Sequence, residues 1–138
     1  HLAQKNVESK TGAVQFGIAG RDEKKLRLLR KDLAKIDSSL DSDDVCPIIV
    51  ARVQKPYGGF PDKTVVDMCK RATLVLNCVG PYRFFGEEIV RACVDEGCVM
   101  LDISGEPAYM EQCALKYHDR AKETGALIIK CGRRCHLL

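Results

Sequence analysis

The sequence predicts an α/β protein built on an incomplete doubly wound parallel sheet. Three observations carry that expectation. Short apolar runs alternate with amphipathic stretches along the whole chain, the pattern of β-α-β units. Two of those runs, Val14 to Gly20 and Leu74 to Val79, pass into polar turns, the second one bearing Gly80 and Pro81, as buried strands do. No glycine-rich phosphate loop precedes residue 14, so the strand that carries such a loop is expected to be missing.

The elements follow in order. Residues 14–20 form a first strand, and Asp22 opens a helix with Leu26, Leu29, Leu33 and Ile36 on one face. Asp37 to Asp44 is polar and loop-like, residues 48–53 form a second strand, and Lys55 to Gly59 is a turn cluster. Asp62 caps a short helix carrying Val65, Val66 and Cys69. Residues 73–79 form a third strand, followed by a helix from Glu87 to Glu96 that buries Ile89, Val90, Cys93 and Val94 and stops at Gly97. Residues 99–103 form a fourth strand. Pro107 suits the first turn of the next helix, which shows Met110, Cys113, Ala114, Tyr117 and Ala121 at helical spacing and ends at Gly125. Residues 126–129 are a fifth strand. Strands joined by single helices pair in parallel through right-handed crossovers. This is most of a Rossmann-like nucleotide-binding fold, whose usual strand order is 3-2-1-4-5-6. The strand at 14–20 takes place two. Place one, the central strand, is then absent, and residues 1–10 are the end of the helix after it. The two strands flanking that slot are left with unpaired apolar edges, an invitation to self-association or to pairing across the gap.

Composition narrows the function classes. At 138 residues one domain is expected, with room for a core. A net charge of +3 argues for neither nucleic acid nor an anionic membrane as partner. The basic residues Lys24, Lys25, Arg27, Arg30 and Lys31 alternate with acids and read as a solvated helix face. Eight cysteines without a signal peptide, with Cys69, Cys78, Cys93 and Cys113 inside apolar patterns, point to free thiols in an intracellular, reducing compartment. Cys131 to His136 matches no zinc spacing, and no metal site is expected. No run reaches the roughly 18 apolar residues of a membrane span.

In open α/β sheets ligands bind at the carboxyl ends of strands, and the polar residues fall there. Gly20 and Arg21 follow the first strand. An acidic residue at that place bonds the 2′-hydroxyl of NAD, whereas arginine accommodates the 2′-phosphate of NADP, so Arg21 favours NADP with NAD as the alternative. Its other reading is a surface arginine at a helix start. Asn77, Val79, Gly80, Pro81 and Tyr82 end the third strand. Asn77 either bonds cofactor or braces the turn. Gly80 and Pro81 are equally well a structural turn and a ligand contact. Tyr82 either acts near the nicotinamide or packs. Asp102 and Ser104 end the fourth strand. Glu106 suits capping of the helix led by Pro107. His118 reads as solvent-facing. No nucleophile–base pair stands out, as expected where a cofactor supplies the chemistry, and the catalytic residues stay unassigned.

Ile18 to Arg21, Leu76 to Gly86 and Leu101 to Pro107, in this order and at strand ends, resemble the amino-terminal domain of the saccharopine dehydrogenase-like oxidoreductases, a family related to trans-acting enoyl reductases. The likeness covers about residues 12–130. Residues 1–130 are then a partial NAD(P)-binding domain and residues 131–138 a divergent tail, with no substrate domain. The resemblance implies NADP-linked hydride transfer to a small or lipid-like substrate in the full-length protein. It also implies lipid-related metabolism and association with lipid droplets or organelle membranes. The opposing expectation, from the missing phosphate loop and the tail, is a non-catalytic module that binds a partner and no longer holds a dinucleotide tightly.

Overall fold

The computed structural model describes residues 2–4, 15–54, 59–131 and 135–137. Most of the Lys55–Gly59 turn cluster and of the 1–10 segment lies outside the described residues. The elements are β1 (Leu2–Gln4), β2 (Phe16–Gly20), α1 (Glu23–Ala34), β3 (Ile48–Val50), α2 (Lys63–Lys70), β4 (Leu74–Asn77), α3 (Tyr82–Asp95), β5 (Val99–Asp102), α4 (Pro107–Thr124), β6 (Leu127–Cys131) and β7 (Cys135–Leu137), with a short 3-10 helix at Ser38–Asp41. They build one sheet in the order β3-β2-β1-β4-β5-β6-β7. The pairs β2–β3, β4–β5 and β5–β6 are parallel, as expected of β-α-β units.

The central slot is not empty. Leu2–Gln4 is a strand rather than the end of a helix, and it lies between β2 and β4, antiparallel to both. Leu2 faces Ile18 on one side and Leu76 on the other. Two apolar inner edges with unspent amides and carbonyls bind any segment that reaches them, and three residues suffice to bridge them. Both of those edges are paired within the chain. The tail also joins the sheet: β7 pairs antiparallel with β6.

Alternation along the strands places helices on both faces. Ile18 and Cys46 pack with Leu26 of α1 on one face, while Ala19 and Ile49 join the main core on the other, beneath α2, α3 and α4. The chain therefore changes face between β3 and β4, where the strand order also reverses. Local signals set the ends of the helices. Asp22 accepts from the amide of Lys25, Asp62 from that of Thr64, and Pro107 opens α4. Gly97 and Gly125 take φ of +66° and +76° at helix ends.

Two expectations change. The buried face of α1 is Leu26, Arg30 and Leu33, not Leu26, Leu29, Leu33 and Ile36; Leu29 is 46% and Ile36 87% exposed. Arg30 is held there by Asp43 and by the Cys46 carbonyl, from the segment that folds back over the helix. Helix α3 begins at Tyr82, five residues before the expected start. Its first two amides, of Tyr82 and Arg83, are both capped by the carboxylate of Glu106, at 2.9 and 3.1 Å. Glu106 makes no cap bond to its own helix.

Candidate functional site

At the reversal of the strand order, the carboxyl ends of β2, β3 and β4 surround a cavity of about 380 Å³. Arg21, Ala51, Val53, Cys78, Val79, Gly80 and Phe85 line it. That volume lies within the roughly 300–1,000 Å³ of small-molecule sites. Arg21 is exposed at its rim and, among the described residues, in no ion pair. Gly20 just behind it accepts from the amide of Ala51, tying β2 to the loop after β3. The Gly80–Pro81 peptide is cis, and Gly80 has no positive φ. A Cβ at Gly80 would meet nothing nearer than the Tyr82 ring, at 4.0 Å. The turn itself thus has no steric need of glycine, and the space beside it is open.

Asn77 sits beneath this loop, 1% exposed. Its Oδ1 accepts from the amide of Val79, which braces the turn, while its buried Nδ2 has no partner among the described residues. Both sequence readings of Asn77 therefore have a physical counterpart in one side chain. The Tyr82 hydroxyl donates to the carbonyl of Asn77. Its ring stacks on that of Tyr109 with centroids 6.0 Å apart. Burial and the nearby Asp102 carboxylate push the Tyr82 phenol above its ordinary pKa.

Asp102 and Ser104 do not line the cavity. Asp102 Oδ1 accepts from the amide and hydroxyl of Ser104, and Oδ2 accepts from the Tyr109 hydroxyl. The parallel register sets Asn77, Asp102 and Lys130 in one row across β4, β5 and β6. Lys130, which the sequence reading did not single out, is 1% exposed. Its Nζ lies 3.3 Å from the Tyr109 ring centroid and has no hydrogen-bond partner of its own among the described residues. No local pattern marks a lysine for burial; only the tertiary register puts it beside Asp102.

Burial lowers the pKa of Lys130, against the raising influence of Cys113, Asp102 and Glu87. The unfolded chain therefore holds that proton more tightly than the folded one. Stability gains from this group as pH rises from the lowered folded value to about 10.4, the ordinary lysine value, and below that window its cost is constant. Desolvation costs several kcal/mol per ion, and a desolvated cation–π contact returns only about 2 kcal/mol. Lys130→Met removes that titration and is therefore expected to flatten the alkaline rise. Denaturant titrations of both chains between neutral and alkaline pH check this; an unchanged alkaline rise in the variant would refute it.

A cavity at the carboxyl ends of the strands, where a doubly wound sheet reverses its order, is the ligand crevice of a dinucleotide-binding domain. The chain belongs to the family described as Saccharopine dehydrogenase NADP binding domain, which matches residues 2–129. It is 38% identical over 130 residues to a saccharopine dehydrogenase-like oxidoreductase of Homo sapiens, covering 93% of this chain and 29% of that protein. It is 35% identical over 120 residues to the lipid droplet localized protein of Caenorhabditis elegans, covering 86% and 26%. It is 31% identical over 133 residues to the trans-acting enoyl reductase of Mycobacterium ulcerans, covering 96% and 28%. The chain thus spans under a third of the length of these relatives. No solved structure matches it. No helix among the described residues is long and apolar enough to cross a membrane.

The residues present fit a dinucleotide in part. A guanidinium at the rim, in no ion pair among the described residues, and an open glycine edge are what a phosphorylated ribose and its neighbour would use, while Asn77 does not line the cavity.

Proposed function

We propose that this chain is part of the NADP(H)-binding portion of an oxidoreductase acting on a small or lipid-like substrate in lipid-related metabolism. The observation that carries the reading is the convergence of Arg21 with Val79 and Gly80 on one cavity at the sheet reversal. Arg21 binds the 2′-phosphate through its guanidinium fork and so sets NADP above NAD. Asn77 braces the turn at Val79 from below, and the Val79 to Tyr82 loop flanks the nicotinamide side. The bound cofactor would supply a hydride. The nematode relative's name supports a place at the lipid droplet, and that of a plant relative, described as probable mitochondrial, a place at an organelle.

A titration of this chain with NADPH and with NADH tests the assignment. A phosphate-bound guanidinium contributes about 1.5–3 kcal/mol, so Arg21→Ala is expected to weaken NADPH by about 10- to 100-fold and to leave NADH nearly unchanged. An unaltered NADPH-to-NADH ratio removes Arg21 from the site.

One observation favours a second reading. Strand β1 occupies the central place but runs antiparallel, so the chain leaves it at Gln4, opposite Phe16 and Leu74, on the edge away from the crevice. The pyrophosphate normally rests on amides that follow the central strand at the crevice edge. In this reading the chain is a non-catalytic module that acts through a partner. NADPH binding in the micromolar range argues against it; binding weaker than millimolar argues for it.

A further inference from the structure

We infer that Cys69, Cys93 and Cys98 form a three-sulfur binding site for a soft monovalent metal cation, Cu(I). The three Sγ atoms all lie within 4.8 Å of one another, and Cys69 and Cys93 Sγ are 3.6 Å apart. A trigonal thiolate site with metal–sulfur bonds of about 2.3 Å holds its sulfurs about 4.0 Å apart, so the triangle needs little adjustment to close on an ion.

The fold builds this triangle from three separate places. Cys69 is in the last turn of α2, Cys93 in the last turn of α3, and Cys98 directly before β5. The return from α3 turns on Gly97, at φ +66°, where a Cβ would stand 2.8 Å from the Thr124 carbonyl oxygen. That turn brings the Cys98 amide back to the Cys93 carbonyl at 2.9 Å and its thiol under the same oxygen. The site lies at the amino-terminal edge of β5, away from the cofactor crevice, and is independent of the proposed oxidoreductase role.

The donor set selects the metal. Thiolates favour soft ions. Structural zinc takes four protein ligands, and three-ligand zinc keeps an open position for water. Here no fourth thiol, imidazole or carboxylate joins the group among the described residues. All three cysteines are buried, at 1%, 0% and 4% exposure, which leaves no route for a bound water. Cu(I) is satisfied by three sulfurs in a plane. On binding, the cation takes the place of thiol protons, which pass to solvent, and no electron is exchanged.

The test is an anaerobic titration of the 138-residue chain with Cu(I) against the chromogenic chelator bicinchoninate. One equivalent per chain is expected to be withheld, and X-ray absorption should count three sulfurs and nothing lighter around the copper. A chain with Cys46, Cys78, Cys113, Cys131 and Cys135 all replaced should keep that equivalent, and Cys69→Ser with Cys93→Ser should lose it. Circular dichroism reports whether the double variant folds; if it does not, the five-cysteine replacement decides alone. No copper withheld, copper lost with the other five cysteines, a two-sulfur shell, or tighter retention of zinc than of Cu(I) each overturns the assignment.

Discussion

Gly86→Ala is expected to lower stability by about 3 kcal/mol, the upper end for overpacking a well-filled core. Glycine inside a helix is otherwise a weak choice, and alanine there ordinarily gains up to 1 kcal/mol. Here the sign reverses, because a Cβ on Gly86 would stand 2.4 Å from the Tyr109 hydroxyl and 2.6 Å from its Cζ. The ring cannot retreat. It is 3% exposed, stacked on Tyr82, beneath the Lys130 ammonium, and its hydroxyl is engaged with Asp102. Thermal unfolding should show a midpoint about 10 °C lower, on the scaling for chains of this size. A double-mutant cycle with Tyr109→Ala separates the clash from helix propensity: the two losses should fall short of additive by at least 1 kcal/mol. A Gly86→Ala midpoint equal to wild type would disprove the contact.

The second large effect falls on Asp102. Replacing it by alanine should cost about 3–5 kcal/mol, because the buried Lys130 charge then loses a carboxylate neighbour and three donors lose their acceptor. Asp102→Asn keeps an acceptor for the Ser104 amide and hydroxyl but gives up the charge and the Tyr109 bond, and should cost about half as much. Adding Lys130→Met to Asp102→Ala should recover part of the loss, since no ammonium is then left buried and uncompensated. Equilibrium unfolding of the four chains measures all of this. Full additivity would mean that Asp102 and Lys130 do not sense each other.

Both effects arise from the scaffold under the crevice. Glu106 ties the start of α3 to the loop after β5, and Tyr82 ties the same helix to Asn77. Through these contacts the Val79 to Tyr82 loop is held against β5. Asp102 and Ser104 therefore stand behind the wall of the cavity and not in it.

What the sequence determined by itself is local. Asp22, Asp62, Pro107, Gly97 and Gly125 mark helix ends because a cap or a left-handed residue is a matter of three or four neighbours. The parallel pairing of β2 with β3 and of β4 with β5 and β6 follows from strands joined by helices. The position of Arg21 and Gly80 at strand ends was readable for the same reason. What only the tertiary structure decided rests on partners distant in sequence. Three residues of β1 carry no periodicity, and two unsatisfied edges draw them into the sheet. Arg30 is buried in place of Leu29 because Asp43 and the Cys46 carbonyl come back over α1. Glu106 caps α3 rather than α4, strand register sets Lys130 next to Asp102, and three cysteines 24 and 5 residues apart meet in one triangle. Caps and turns are written in near neighbours; the charges and sulfurs of a core are placed by register and packing, which no short window of residues contains.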